Sequence, residues 1–378
     1  MKIAIVVPFY LPVIGGMEYH AYEMGTELKA RGHEVDILTA GIDHSGNPVL
    51  PKVELRDGLT VRRYNVWARI GKFASLWPGF ALDLGKYDLI HVQNMRQPHT
   101  DIAMIFGKLM GKKVVFSTQS PLHKGTHPGI QEALIKAYDN FLLPIFSRGY
   151  DRIFAHHQLE KDYLVSHGVP ISKIQIVHLG IGEKSFKKTK GGYFGKIRKK
   201  FPRIMLFVGR ISNMKGLDEL LRAFSISKGK ARWALVLIGP DGGELLGLKE
   251  LKKELNLKNV YFWGAVDENE VELAIADADL FVLPSAYEPY GLVLIKAMAK
   301  GVACIAINNG GPTEIIEDGK TGILSDFGAG PLSKALEKLM NNDGLRRRMG
   351  NRAKFRSKRF ALAGMVDAYE AVYKDLMK

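Results

Sequence analysis

The sequence predicts an α/β protein made of two Rossmann-like, doubly wound parallel-sheet domains. Three observations carry this expectation. Short apolar, β-rich runs alternate with segments of helical period, the alternation breaks once in a Lys- and Gly-rich stretch between residues 182 and 200, and it then restarts with the same rhythm. At 378 residues, 46% of them hydrophobic, the chain also exceeds what one core holds, because single cores stop growing at roughly 250–300 residues.

In the first half, residues 3–7, 34–38, 89–92, 114–117, 152–155 and 174–177 read as strands, with helices such as 18–31 and 102–110 between them. Their continuous apolar character suits parallel strands covered on both faces. In the second half, strands are expected at 204–208, 234–238, 260–263, 280–283 and 303–307, and helices at 217–227, 244–255, 268–276 and 290–300. The stretch 360–378 spaces Leu362, Met365, Val366, Tyr369, Val372 and Tyr373 at helical intervals, which predicts a docked helix. The expected organisation is a first domain over 1–182, a basic linker over 183–202, a second domain over 203–359, and a helix over 360–378 packing back on the first domain.

Composition narrows the setting. The single cysteine, Cys304, lies in an apolar run, so it reads as a core residue, and no disulfide framework exists. Pro8 and Pro12 interrupt the apolar start and no small-residue cleavage site follows, which favours a first strand over a signal peptide. No apolar run reaches the ~18 residues of a spanning helix. A cytoplasmic protein is expected, with peripheral attachment to the inner membrane face left open.

Fifty-four Lys and Arg against 39 Asp and Glu leave a formal charge of +15, which calls for an anionic partner. The basic clusters at 184–203 and 346–359 do not alternate with aromatic residues as a base-stacking surface would, which argues against nucleic acid. A solvated face and a membrane-facing patch both fit them. The apolar stretch 140–150, which includes Arg148, reads as a membrane-docking element or as a buried helix or helix end interrupted by Pro144, the second being favoured. The loop 74–80, with Trp77, is another exposed apolar candidate. His156, His157 and His178 lack the spacing of a metal site and read as loop or first-turn residues.

Open α/β sheets bind ligands beyond the carboxyl ends of their strands, so loops that follow strands hold the candidate site. After the first strand comes Gly15-Gly16-Met17-Glu18, where a backbone without Cβ at Gly16 can approach a phosphate, or simply turn. After the strand at 204–208 come Gly209-Arg210 and Lys215-Gly216, two cations able to hold a diphosphate, though exposed cations are also common on surfaces. After the strand at 280–283 comes Glu288-Pro289-Tyr290-Gly291-Leu292-Val293, entering a helix.

Taken in order, the Gly-Gly-x-Glu, the Gly-Arg and Lys-Gly pair and the Glu-Pro-Tyr-Gly-Leu stretch resemble the retaining nucleotide-sugar glycosyltransferases of family four, group 1, which have the glycosyltransferase B architecture. The resemblance covers most of the chain and is more specific in the second domain. It implies transfer of a sugar from a nucleotide-diphosphate sugar to a hydroxyl of a glycan, glycolipid or other acceptor, without cofactor or metal. The first domain would then bind acceptor and the second donor. By resemblance, Glu288 touches donor sugar hydroxyls near the reacting carbon. The amides of Gly291, Leu292 and Val293, next to Tyr290, receive the diphosphate, and Gly209, Arg210 and Lys215 complete its pocket in place of a metal. Gly16 is the corresponding backbone contact in the first domain.

Two positions depart from the family pattern. A second glutamate eight positions after the first is replaced by Lys296, whose ammonium donates but cannot accept hydrogen bonds. Lys296 is expected to meet ribose oxygens, a phosphate or Glu288, or to point to solvent. Where the family commonly has a histidine beside the sugar, this chain has Gln119, with His123 four residues on; Gln119 takes the catalytic-site position or merely caps a loop. Two other functions compete: a nucleotide-sugar-binding protein with impaired catalysis, and a nucleotide-sugar isomerase, for which no acid and base residues stand out. The donor base, donor sugar, acceptor and oligomeric state are not specified by these residues.

Overall fold

A computed structural model describes residues 1–13, 15–70, 74–119, 129–189 and 191–378. The chain divides into two units, Met1–Gly180 with Leu362–Lys378, and Ile181–Ala361. His123 lies outside the described residues.

The first unit runs β1 (Lys2–Val7), α1 (Gly16–Ala30), β2 (Glu34–Ala40), β3 (Val53–Arg56), β4 (Leu59–Tyr64), β5 (Ala68–Ile70) and β6 (Ala74–Leu76). It continues through β7 (Leu89–Gln93), α2 (Pro98–Leu109), β8 (Lys113–Ser117), α3 (Ile130–Ala137), α4 (Leu143–Ser147), β9 (Arg152–Ala155), α5 (Gln158–Ser166) and β10 (Ile174–Ile176). Its main sheet has the order β10-β9-β8-β7-β1-β2-β4-β3, parallel except that β3 runs antiparallel to β4. The order reverses beside β1, so the ends of β1 and β7 open onto a switch point. Residues 53–76, which carry no expected strand, form β3 to β6. These strands are short, and β3 and β4 invert the usual pattern, with Val53 and Leu55 exposed and Arg63 buried, which hides the period.

The second unit contains α6 (Gly195–Arg198), β11 (Arg203–Val208), α7 (Leu217–Ile226), β12 (Trp233–Ile238), α8 (Leu245–Glu254), β13 (Val260–Gly264), α9 (Glu268–Ala276) and β14 (Leu280–Leu283). It continues with α10 (Leu292–Ala299), β15 (Ala303–Ile307), α11 (Pro312–Ile315), β16 (Gly322–Ser325), α12 (Ala329–Met340) and α13 (Asp343–Ser357). The order β13-β12-β11-β14-β15-β16 is wholly parallel and reverses between β11 and β14. Cys304 sits in the middle of β15, fully buried, and burial pushes its thiol well above the usual range.

Three expectations need correcting. The basic stretch 183–202 belongs to the second unit: Phe194, Ile197 and Phe201 are buried, Ser185 Oγ donates to Glu272 (2.6 Å), and Lys300 Nζ donates to the Lys187 carbonyl (3.0 Å). Its lysines mask an apolar side spaced three and four residues apart. Trp77 is fully buried, packed against Phe80 and His99, so the loop 74–80 is part of the core. Conversely, the favoured burial of 140–150 holds for one side only: Leu143, Phe146, Ser147 and Tyr150 turn inward, while Phe141 is 70% and Ile145 63% exposed. Among the described residues no helix is long and apolar enough to cross a membrane.

The last helix, α14 (Leu362–Leu376), belongs to the first unit and buries all six of its periodic apolar residues. Tyr373 hydroxyl meets His91 Nδ1 at 2.5 Å, and the other ring nitrogen meets Ser117 Oγ at 2.6 Å. Burial pushes His91 down to about 3, so this bridge holds a neutral imidazole. On the outside, Glu370 joins Arg31 and His33 (3.2 Å each) to Lys374. The Lys374 bond, then those of His33 and Arg31, holds Glu370 down to about 2. A depressed carboxylate stabilises the fold above its unfolded value and ceases to do so as pH falls through the folded one. Glu370→Gln is expected to lower Tm at pH 7 by about 2–4 °C, the effect of a partly exposed ion cluster, and the difference from the parent should vanish by about pH 2 in a melting series.

Candidate active site

In the second unit, the loops after β11 and β14 meet at the switch point. Lys215 closes a short turn that ends on Gly216, whose backbone is left-handed (φ 58°) and which packs so close that a Cβ would lie 2.4 Å from the Pro284 carbonyl oxygen. This contact brings the two loops together. Lys215 Nζ pairs with Glu288 Oε2 at 2.7 Å, and Ser285 Oγ donates to the same oxygen at 3.1 Å. Both charged side chains are mostly covered, so the pair works at reduced dielectric.

The backbone around Glu288 is held from the opposite side. Gly311 N–H donates to the Glu288 carbonyl (2.9 Å), and a Cβ on Gly311 would lie 2.3 Å from the Tyr290 carbonyl oxygen. The chain then turns through Gly291 (φ 97°) into α10. At that helix start the N–H groups of Gly291, Leu292 and Val293 precede the first intrahelical bond, Leu294 N–H to the Gly291 carbonyl (2.8 Å), and so point free donors and the positive helix end outward.

Gly209 follows β11 and donates to the Ile238 carbonyl (2.9 Å), and Arg210 beyond it is exposed, its stem against Gly242. Among the described residues Arg210 has no carboxylate partner, which leaves its guanidinium available to an anion. The structure therefore brings together Lys215, Glu288, Tyr290 and the 291–293 amides, and sets Arg210 at the end of the neighbouring strand.

Lys296 does not point to solvent. It is buried on α10, its ammonium held by Glu268 and 4.0 Å from Glu272, both on α9; Lys300, one turn on, meets Glu272 at 2.9 Å. Alternating charges at i and i+4 on two facing helices thus interleave. The sequence shows the lysine but not its partners, because the pairing is tertiary.

In the first unit, Gly16 opens α1, and the Glu18 carboxylate folds back over Gly15, where a Cβ would lie 2.2 Å from Oε2. Gln119, past β8, is buried with a left-handed backbone (φ 45°), a strained conformation for this residue type. Its Nε2 donates to Gln93 Oε1 at 2.6 Å, and its buried Oε1 has no partner among the described residues. His20 is buried with neither ring nitrogen bonded among the described residues, and desolvation, reinforced by His156, pushes it down to about 3. Gln93, His20 and Ser285 were not picked out from sequence; Gln93 ends β7, Ser285 follows β14, and His20 lies in the second turn of α1, where nothing local marks it.

Comparison with known proteins agrees with this geometry. Two family models match in succession, Glycosyltransferase Family 4 over residues 14–183 and Glycosyl transferases group 1 over residues 194–356. N-acetyl-alpha-D-glucosaminyl L-malate synthase of Bacillus anthracis is 27% identical over the whole of this chain and 98% of its own length. Among solved structures, sucrose-phosphate synthase from Thermosynechococcus elongatus superposes with a TM-score of 0.80 at 21% identity, covering 100% of this chain and 99% of that one. The Anabaena protein HepE, in complex with UDP and glucose, also gives 0.80, at 18% identity over 99% of this chain and 100% of its own. The fold and the paired strand-end loops define a glycosyltransferase of the B architecture. The chain belongs to the group 1 glycosyltransferases.

Replacing Lys296 by glutamate would set three carboxylates together. Lys296→Glu is expected to cost about 2–4 kcal/mol by denaturant unfolding, whereas the uncharged Lys296→Met should cost less. An unchanged midpoint for both variants would mean that the interleaved charges contribute nothing to stability.

Proposed function

We propose that this enzyme moves a hexosyl group from a nucleotide-diphosphate sugar to a hydroxyl acceptor, with retention of anomeric configuration and without a metal. The observation that supports it most is the Lys215–Glu288 pair beside the unclaimed amides of residues 291–293. A diphosphate at the start of α10 would draw charge from the helix end, from Lys215 and from Arg210, while Glu288 accepts hydrogen bonds from the sugar. The anomeric C–O bond breaks with its electrons passing to the diphosphate. The acceptor oxygen bonds to the same face of that carbon, and its proton passes to the departing phosphate oxygen. Fixed cations stabilise the charge that grows on the leaving group, the term that lowers this barrier most.

Within the first unit, Gly16 offers a backbone N–H to the substrates, and Gln119 is proposed to stand beside the sugar, held there by Gln93. Lys296 is proposed to act through Glu268, whose carboxylate it holds, rather than by touching ribose itself. The UDP and UDP-glucose complexes of HepE support UDP-sugars as donors to try first. A cytoplasmic enzyme with a lipid-linked acceptor at the inner membrane face is the setting we favour, on the strength of the +15 charge.

A thermal-shift panel of UDP-, GDP- and ADP-sugars should show one nucleotide raising Tm, by about 2.7 kcal/mol of stability at a hundredfold excess over Kd. Lys215→Ala and Glu288→Gln are expected to reduce transfer about 100- to 1000-fold. NMR of the product should show the donor's anomeric configuration, and excess EDTA should leave the rate unchanged. Binding without transfer to any acceptor would mean a sugar-nucleotide-binding protein instead, and loss of rate in EDTA would remove metal independence.

A further inference from the structure

We propose that the outer faces of α2 and of the α3–α4 segment form a docking surface for an anionic lipid bilayer. This rests on the peripheral setting favoured above and gives it a location. Both helices belong to parallel crossovers, β7 to β8 and β8 to β9, that step the same way along the sheet, and right-handed connections put them on one face. They touch: the Tyr138 hydroxyl donates to Asp101 Oδ1 (2.9 Å), and Tyr150 donates to the Thr100 carbonyl (3.1 Å). Their inner residues, Ala103, Met104 and Leu143, join the core.

What they turn outward is apolar. On α2, Ile105 and Leu109 continue the line of Asp101 at four-residue spacing, and Leu109 is 77% exposed. On the adjoining segment, Leu134, Phe141 and Ile145 lie on either side of Tyr138, with the two larger exposures already given. Single exposed apolar residues are ordinary, but a contiguous band across two neighbouring helices marks an interaction surface.

The charge around the band selects the partner. Both helices end where β8 and β9 begin, tied by Lys108 and the Val114 N–H (2.7 Å) to Asp151. Lys112, Lys113 and Arg148 gather there, and among the described residues none has a carboxylate partner. The nearby acids are engaged: Asp139 with Arg96, Asp101 with Tyr138, Glu132 with Lys136, and Asp151 with Lys108. A second copy of this chain would set cations against cations in a molecule of charge +15, whereas anionic headgroups neutralise the rim as the apolar band enters the acyl boundary.

The test is vesicle flotation with phosphatidylcholine alone and with added phosphatidylglycerol. The parent should float with the anionic vesicles, and the Phe141→Ser/Ile145→Ser and Lys112→Glu/Arg148→Glu pairs should each bind about tenfold less. Arg347→Glu/Arg352→Glu, on the basic outer face of α13, should bind like the parent. Absence of flotation by the parent would overturn the proposal. So would loss of binding in the α13 pair with the apolar pair unaffected, which means unspecific adsorption, or a parent dimer that the apolar pair splits in sedimentation. Melting curves of the variants report folding, and because the charge-reversal pair leaves the apolar band intact, one misfolded variant does not remove the test. A parent whose Tm rises with none of the UDP-, GDP- and ADP-sugars would count against transfer while leaving the flotation result to stand by itself.

Discussion

The second unit's site depends on backbone meeting backbone where side chains are missing. Gly311 lies against Tyr290 so closely that a methyl group would overlap its Cα at 2.4 Å, and Gly216 lies against Pro284 in the same way. These two approaches clamp the segment 284–290 from both sides. Glu288 is thereby aimed at Ser285 and Lys215 without any long side chain having to find its rotamer, and the next residue that must turn is a glycine. Preorganisation of this kind keeps the carboxylate and the cation in place before any ligand arrives, which is what electrostatic stabilisation of a leaving group requires.

Much of this was legible in the chain because of how parallel sheets are built. Strands covered on both faces read as unbroken apolar runs, so β11, β12, β14 and β15 stand out, and loops at their carboxyl ends follow from topology. β3 to β6 escape the same logic: they are three to six residues long, and β3 is an edge strand that leaves Val53 and Leu55 exposed. Lys215 and Glu288 could be picked out from sequence since each lies past a strand, while their grouping with the 291–293 amides came from the family resemblance. Trp77 could not be placed, because its burial depends on Tyr64, Phe80 and His99, which come from three separate segments.

Lys296 shows where local reasoning ends. A lysine on an amphipathic helix near a phosphate site suggests an anion ligand or solvent, yet its ammonium is occupied by carboxylates of α9. Glu272 in turn gathers Ser185 and Lys300, and Lys300 reaches the Lys187 carbonyl and the Thr189 hydroxyl (3.0 Å each). Buried charges persist only when each is paired, and here the pairing also fastens the stretch 184–189 to the helices behind the site. What composition presents as a solvated basic tract is in part the rim of a polar core.

The discontinuity of the first unit carries a further consequence. α14 closes over α1 and His91, yet it leaves the ribosome only after every residue of the second unit has been made. Until then, one face of a parallel sheet waits in the cell without its cover, exposing the groups that Tyr369 and Tyr373 will later shield. The second unit, by contrast, is an insert whose two ends lie side by side, with Ile181 donating to the Phe360 carbonyl at 2.9 Å, so it can close upon itself as soon as it emerges. Synthesis therefore imposes an order in which the domain made second is complete first, while the sheet of the domain made first stays uncovered in the interval.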